Sequence, residues 1–468
     1  MASWLNNICL LTDSYKISHY KLYPPGTEKV YSYFESRSGS KFPKTVFFGL
    51  NYLMKEYLAG NRVTQEMIGE ADDLLRIHFG QAIFNRKGWE SILYKHHGKL
   101  PIEIKAVKEG SIVPESNPLF TIENTDPDAF WLTNYLESLL VQLWYPCTVA
   151  SQSLFMKKII LDYLQSTGDP QQIDFKLHDF GFRGVTCPEQ AALGAAAHLL
   201  HFKGTDTIPG ILLTSKYYGE SMAGFSIPAT EHSTITSWGE THELDAMRNL
   251  LDQYPHGMIA CVSDSFDIYR ACREYWGTKL KDKILQRDGI LIVRPDSGEP
   301  TKILLEVLKI LGEAFGTEVN AKGYRVLHPK IRLIQGDGID FKMLGVILQT
   351  MKEHYWSADN IAFGSGGGLL QKMNRDTQKF ALKCSSITID GKNRDVFKRP
   401  ITDLNKQSKA GRLKLCLDSS GHWKTQHQEE MGEDQLQTVF LNGDIVFEQT
   451  FQEIRDYILK SNFLESSP

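Results

Sequence analysis

The hydrophobic rhythm of the chain changes about a third of the way along. Before Tyr145, segments of different kinds are mixed. Val30–Glu35 (VYSYFE) and Leu100–Lys108 (LPIEIKAVK) alternate in polarity, as a strand with one buried face does. Phe130–Trp144 (FWLTNYLESLLVQLW) is long and apolar and predicts a buried helix. From Ile173 a different unit recurs: a short apolar run, then polar or glycine-rich residues, then a helix-like stretch. The runs are Ile173–Leu177 before His178-Asp179, Met258–Val262 before Ser263-Asp264, Ile290–Val293 before Arg294-Pro295-Asp296, Ile331–Ile334 before Gln335-Gly336-Asp337, and Ile361–Phe363 before Gly364-Ser365-Gly366-Gly367-Gly368. Short apolar runs separated by helices predict buried parallel strands. In a β/α barrel the loops after every strand meet on one face, whereas an open doubly wound sheet concentrates function at one switch point. Chemically useful residues at the end of each run fit the barrel better.

After Lys383 the chain is more polar. Ser385–Asp390 and Thr438–Val446 read as strands, the second broken by the hairpin signal Asn442-Gly443. The expected organisation is an α/β domain over 1–148, a catalytic β/α barrel over 149–383, and a segment over 384–468 that completes the first domain.

Composition narrows the class. A length of 468 residues accommodates a barrel with an added domain. With 42% hydrophobic and 23% charged residues the composition is that of a globular protein. The net charge of -4 argues against a nucleic-acid partner. The 7 cysteines form no C-x-x-C pair, which points to a reducing compartment rather than a disulfide framework or zinc site. Met1–Tyr20 lacks the pattern of a secretory signal, and no apolar window is long enough to span a membrane. A cytoplasmic enzyme without a membrane partner is expected.

The strand ends supply candidate chemistry. Consecutive glycines in Gly364–Leu370 (GSGGGLL) can turn backbone N–H groups toward a phosphate, or can serve a turn that needs positive φ. Arg294 suits bidentate phosphate binding, and Asp296 suits ribose hydroxyls or magnesium; together they also suit a structural ion pair. Asp337, flanked by Gly336 and Gly338, can approach a sugar closely or simply occupy a turn. Asp264 and Asp267 can bind magnesium or cap a helix. Phe180 and Arg183 share one loop with His178, where the ring can stack on an aromatic base or join the core. His232 can act as nucleophile, as general acid or base, or as a hydrogen-bonded structural residue. Tyr15 lies in a segment, TDSYK, that resembles a helix N-cap. These residues define a barrel enzyme for a phosphorylated, ribose-bearing substrate and leave its reaction open.

The motifs as a set resemble the nicotinate/nicotinamide phosphoribosyltransferase family, and within it the nicotinamide-using enzymes. They are TDSYK (12–16), YPP (23–25), KLHDFGFRG (176–184), FKGTDT (202–207), PATEHST (228–234), VSDSFDIY (262–269), RPDSG (294–298), QGDG (335–338) and FGSGGGLLQK (363–372), spread in order over nearly the whole chain. The resemblance implies a homodimer of irregular, type II phosphoribosyltransferase-like β/α barrels with shared active sites, each barrel carrying an α/β domain built from both chain ends. It implies phosphoribosyl transfer from phosphoribosyl pyrophosphate to nicotinamide in NAD salvage, with Mg2+ required and ATP hydrolysis coupled through a phosphohistidine, His232.

By the same resemblance Arg183 and Arg294 face the pyrophosphate, with His232 beside them. Asp296, Gly336 and Asp337 take the ribose, and Gly366, Gly367 and Arg375 take the 5′-phosphate. Phe180 stacks on one face of the pyridine, and the partner subunit's Tyr15 on the other. Asp264 sits near ribose and magnesium, whose ligands stay unassigned. Lys398, Lys406 and Arg412 are further candidates for ATP or pyrophosphate. Asp206 accepts a hydrogen bond from the nicotinamide amide; nicotinate would bring a second carboxylate there, and like charges that close are costly. The alternatives are a nicotinate-using enzyme and a catalytically silent, signalling member of the family. Relative to animal members the stretch SGSKFPKT after Arg37 is short, and Ala381 stands where they carry serine.

Overall fold

The structure, a computed structural model, describes residues 6–402, 407–461, 463 and 464. Two compact units form. The first draws on Met1–Ser151, Lys216–Glu220 and Met373–Phe463. The alternating VYSYFE segment lies in the strand Thr27–Ser36, inside an antiparallel sheet. The sheet runs in the order Lys392–Asp395, Phe380–Ile389, Thr27–Ser36, Pro118–Asn124, Ile102–Ala106, Gln437–Leu441, Asp444–Ile445. Strands from both chain ends therefore share one sheet. Phe34 fixes this junction: its ring stacks on Phe120 at 4.9 Å and on Phe380 at 5.0 Å. The expected hairpin turns at Asn442 (φ 50°) and Gly443 (φ 87°), both left-handed as a tight two-residue turn requires. Lys216–Glu220 belongs with this unit because Tyr218 is buried against Phe48 and Phe451.

Phe130–Trp144 is not the single helix expected. It breaks into Leu132–Tyr135, Glu137–Leu140 and a 3-10 turn, Val141–Leu143, before a long helix, Trp144–Thr167. Polar side chains inside the apolar run cause the break. Thr133 donates to the Val30 carbonyl at 3.0 Å, and Asn134 bonds Ser32 and Tyr23. These bonds tie the segment to the sheet, so its hydrophobicity reports burial on every side rather than helix continuity.

The second unit, Gln152–Ser215 and Ser221–Lys372, holds the repeated apolar runs. They form a wholly parallel sheet in the order Gly204–Thr205, Leu177–Asp179, Ile361–Ser365, Ile331–Gln335, Asp288–Arg294, His256–Val262. The run at Ile173–Leu177 is displaced from its expected place. Asp169 caps a 3-10 turn, Pro170–Phe175, and pairing starts only at Leu177. Helices cover the outer face. Pro300–Phe315 buries Leu304, Val307, Leu308 and Leu311, the spacing of one helical stripe. Phe341–Glu353 does the same with Leu344, Ile347, Leu348 and Met351.

The two edge strands of this sheet are not left open. Residues 225–230 run between them. The Thr205 N–H donates to the Phe225 carbonyl and the Thr230 N–H to the Ala260 carbonyl, both at 3.0 Å. Phe225 bridges Gly204 and Ala229 bridges Ala260 in parallel fashion. The sheet thus curls into an irregular barrel whose last position is a short extended segment with no regular strand. An unpaired edge exposes a row of backbone donors and acceptors, and this segment occupies them.

Candidate active site

Strand geometry places the first pair of candidates. Leu177–Asp179 ends at Phe180, whose N–H donates to the Ser365 carbonyl of the adjacent strand at 2.9 Å. Its ring lies over Gly364: a Cβ there would stand 1.9 Å from Phe180 Cε2. None of Gly364, Gly366, Gly367 or Gly368 has positive φ, so glycine here provides room rather than a left-handed turn. Asp179 is buried behind Phe180. It accepts from the Gly181 N–H at 2.7 Å and from the Thr205 hydroxyl at 3.3 Å, and its carbonyl accepts the Asp206 N–H at 2.9 Å. One buried carboxylate thereby joins the Phe180 turn to the Asp206 turn. Burial pushes its pKa up to about 6 against those hydrogen bonds, and the charge of Asp206 adds to the rise. The Asp206 side chain is itself exposed.

A charged cluster follows the strands His256–Val262 and Asp288–Arg294. His232 opens the short helix His232–Thr236 and is 46% exposed at its side chain. Its Nδ1 is 3.2 Å from Ser265 Oγ. Its Nε2 is 3.4 Å from Asp296 Oδ2 and 3.9 Å from Asp264 Oδ1. Asp264 is buried. Its Oδ2 accepts from the Asp296 N–H at 3.0 Å and the Ser297 hydroxyl at 2.5 Å, while Oδ1 has no hydrogen-bond partner among the described residues. Arg294 donates from Nη2 to Asp296 at 3.1 Å, and its buried Nε has no partner among the described residues. Asp267 caps the next helical turn through Tyr269 and Arg270, so of its two expected uses the structure shows the cap.

Three hollows meet at Phe180 and Arg294. One, about 560 Å³, fills the barrel interior between Met258, Ile290, Ile292 and Ile334 and reaches Asp206. A second, about 550 Å³, opens on the rim beside Arg183, Asp206 and Glu231. A third, about 370 Å³, is lined by Asp296, Gly336, Asp337, Gly366, Gly367 and Lys372. A Cβ at Gly367 would meet nothing within 4 Å, so any side chain there would project into open space. Arg183 is exposed, lines two of these hollows and has no ion-pair partner among the described residues.

Tyr15 and Arg375 belong to the first compact unit. TDSYK does form a helix start: Asp13 is the N-cap of the 3-10 segment Ser14–Lys21, and Tyr15 in its first turn is 60% exposed with its ring edge-on to His19. Arg375 pairs with Asp376 at 3.4 Å. The same unit brings Arg375 and Lys398 into electrostatic reach of Lys383 together with Arg37, and of these the sequence singles out only Arg375 and Lys398. Burial pushes Lys383 below the usual lysine range; Glu137 opposes this, and the positive charges of Arg37, Lys398 and Arg375 add to it. Arg412 is committed elsewhere: it grips both oxygens of Glu123 at 2.8 and 2.6 Å and stacks on Tyr31. Lys406 lies outside the described residues. Arg37 and Lys383 carried no local motif; their grouping arises only when the strands Thr27–Ser36 and Phe380–Ile389 pair.

A barrel rim that brings a glycine-rich turn together with the carboxylates of Asp296 and Asp337, the exposed Arg183 and the Asp296-paired Arg294 fits the class of phosphoribosyltransferases. The chain belongs to the nicotinate phosphoribosyltransferase (NAPRTase) family, whose model matches residues 175–444. Residues 7–104 match a second family, the nicotinamide phosphoribosyltransferase N-terminal domain. A protein of Xanthomonas campestris named nicotinamide phosphoribosyltransferase is 50% identical, covering 97% of this chain and 98% of its own. One of the same name from Acinetobacter baylyi is 34% identical, covering 95% of each. Among solved structures, nicotinate-nucleotide pyrophosphorylase from Pyrococcus furiosus superposes with a TM-score of 0.65 at 18% identity, covering 100% of this chain and 98% of its own. Human nicotinic acid phosphoribosyltransferase superposes with a TM-score of 0.58 at 14% identity, covering 98% and 95%. These two likenesses show the fold. No helix among the described residues is long and apolar enough to cross a membrane.

Proposed function

We propose that the protein transfers the phosphoribosyl group of phosphoribosyl pyrophosphate to nicotinamide, forming nicotinamide mononucleotide and pyrophosphate in NAD salvage. The pyridine nitrogen forms a bond to ribose C1′ while the bond from C1′ to pyrophosphate oxygen breaks, and the electron pair leaves with pyrophosphate. Positive charge grows on the ribose and negative charge on the leaving group. Fixed cations at the leaving group lower that barrier, a role for Arg183 and Arg294. Asp296 and Asp337 suit the ribose hydroxyls, and Gly336 keeps their approach clear. The Gly366-Gly367 turn suits the 5′-phosphate.

The observation that carries the reading is the join of three hollows at Phe180 and Arg294, with Asp206 exposed where the first two meet. A planar ring fits against Phe180, and an amide N–H fits the Asp206 carboxylate. Nicotinate would place two carboxylates together, which disfavours the nicotinate-using alternative. Retention of His232, Asp264 and Asp296 in one cluster disfavours a silent signalling member.

Mg2+ fits the same cluster. Asp264 Oδ1 is buried and unpartnered beside Asp296, and magnesium is commonly held by one or two carboxylates plus substrate phosphates. The ion would neutralise pyrophosphate oxygens as charge develops there. For ATP coupling, His232 is half exposed, with Nδ1 held by Ser265 and Nε2 turned toward the two carboxylates. That placement suits a phosphohistidine formed beside the magnesium site.

We further propose a homodimer in which the exposed Tyr15 closes the partner's pyridine site. The cations of Arg37, Arg375, Lys383 and Lys398 suit pyrophosphate or ATP phosphates. All 7 cysteines are unpaired, which supports a cytoplasmic setting.

The test is incubation with nicotinamide, phosphoribosyl pyrophosphate and Mg2+, with and without ATP. Mononucleotide and pyrophosphate should form in equal amounts, faster with ATP, and His232→Ala should abolish the ATP stimulation. No mononucleotide under any condition would favour the silent reading, and intact stimulation in the variant would remove the phosphohistidine.

A further inference from the structure

We infer that Ser226 is a positioning residue for acceptor choice: its hydroxyl locks the Asp206 carboxylate with one oxygen left for the incoming amide. The inference rests on Asp206 reading the nicotinamide amide. Asp206 follows the two-residue strand Gly204–Thr205. Its backbone is fixed by the bond to the Asp179 carbonyl at 2.9 Å. Its side chain is exposed and, among the described residues, has no ion-pair partner and is held by one hydrogen bond, Ser226 Oγ donating to Oδ1 at 2.5 Å. A free aspartate on a rim samples several rotamers, and only some aim it at a ligand amide.

Ser226 stands on unusually firm ground for an exposed residue. It sits on the segment 225–230 that closes the barrel. On one side the Phe225 N–H donates to the Lys203 carbonyl at 2.7 Å, and the Thr205 N–H returns to Phe225 at 3.0 Å. On the other, the Ala260 N–H donates to Pro228 and the Thr230 N–H to Ala260, both at 3.0 Å. The hydroxyl is therefore carried by backbone pinned to both edge strands. Ser226 and Asp206 line the same interior cavity as Phe180.

The chemistry follows from donor counting. A serine hydroxyl has one proton, and Asp206 Oδ1 at 2.5 Å takes it in preference to the more distant Ile227 carbonyl at 3.5 Å. The second carboxylate oxygen stays an acceptor and matches an amide N–H. A carboxylate held in this way also repels the carboxylate of nicotinate, so one hydroxyl sharpens both halves of the preference. The closing segment thus links barrel geometry to acceptor choice.

The experiment compares the parent enzyme with Ser226→Ala, Ser226→Thr and Asp206→Ser, measuring kcat and KM for nicotinamide and nicotinate at fixed phosphoribosyl pyrophosphate and Mg2+. Ser226→Ala should raise the nicotinamide KM about tenfold, the size of losing one hydrogen bond to a charged group. Its kcat should hold and its nicotinamide-to-nicotinate ratio of kcat/KM should shrink. Ser226→Thr, which keeps the hydroxyl, should restore both. If Asp206→Ser loses the preference while Ser226→Ala keeps the parent KM and ratio, the role of Ser226 is wrong and that of Asp206 stands. If Asp206→Ser keeps the preference, the reading of Asp206 falls, and the present one with it. A fall in kcat alone, or a threonine variant no better than alanine, also overturns the positioning role.

Discussion

Asp264 and Asp179 show how two buried carboxylates take different parts on one rim. Asp264 spends one oxygen on organising the Asp296 turn and keeps the other unpartnered beside His232. Asp179 spends both oxygens on neighbouring turns. Its folded pKa, about 6, lies above the ordinary value of 3.8. Between those values the folded protein holds a proton that the unfolded chain has lost. Its contribution to stability is therefore greatest at low pH and falls as pH rises through about 6. The total is on the order of 3 kcal/mol. Asp179→Asn keeps the geometry, since its amide can accept from Gly181 and donate to Thr205. Melting temperatures from pH 4 to 7 should decline for the parent relative to this variant; parallel curves would contradict the assignment. Most of the charged rim is legible in the sequence because each residue directly follows an apolar run. Ser226 is not, since a serine two residues before a proline carries no pattern of its own, and its meaning comes from a contact with Asp206.

At the scale of elements, the Phe180 ring and the strand Ile361–Ser365 are fitted to each other at Gly364. A Cβ at that position would overlap the ring, so Gly364→Ala should displace Phe180 from the acceptor cavity. We expect a rise in the nicotinamide KM of at least tenfold and a stability loss of about 1–3 kcal/mol, as for an overpacked core. Unchanged KM would separate the ring from acceptor binding. The strands with continuous apolar runs, such as Asp288–Arg294, are legible because both faces are apolar: Leu291 and Val293 are buried, and Ile290 and Ile292 line the interior cavity. The closing segment 225–230 is not. It is short, contains Pro228, and reaches order through bridges to strands on either side. Ile173–Leu177 misled for a related reason: Pro170 and the Asp169 cap favour a 3-10 turn, and apolar content alone does not distinguish that from a strand.

For the whole molecule, the antiparallel sheet built from both chain ends gathers cations that are distant in sequence, including Arg37 and Lys383. A chain with net charge -4 can thus still concentrate positive charge locally, as the proposed polyphosphate role requires. The proposed homodimer makes a strict prediction about Tyr15. Tyr15→Ala and Asp296→Ala chains should each be nearly inactive alone. After random mixing, half of the dimers are hybrids with one intact composite site, so about a quarter of parent activity should return. No recovery would place Tyr15 in the site of its own chain or outside it. The central claim concerns the acceptor, and the ratio of kcat/KM for nicotinamide to that for nicotinate, with phosphoribosyl pyrophosphate and Mg2+ saturating, tests it most directly. The charge clash at Asp206 predicts a preference for nicotinamide of roughly a hundredfold or more; equal turnover of the two acceptors would contradict it.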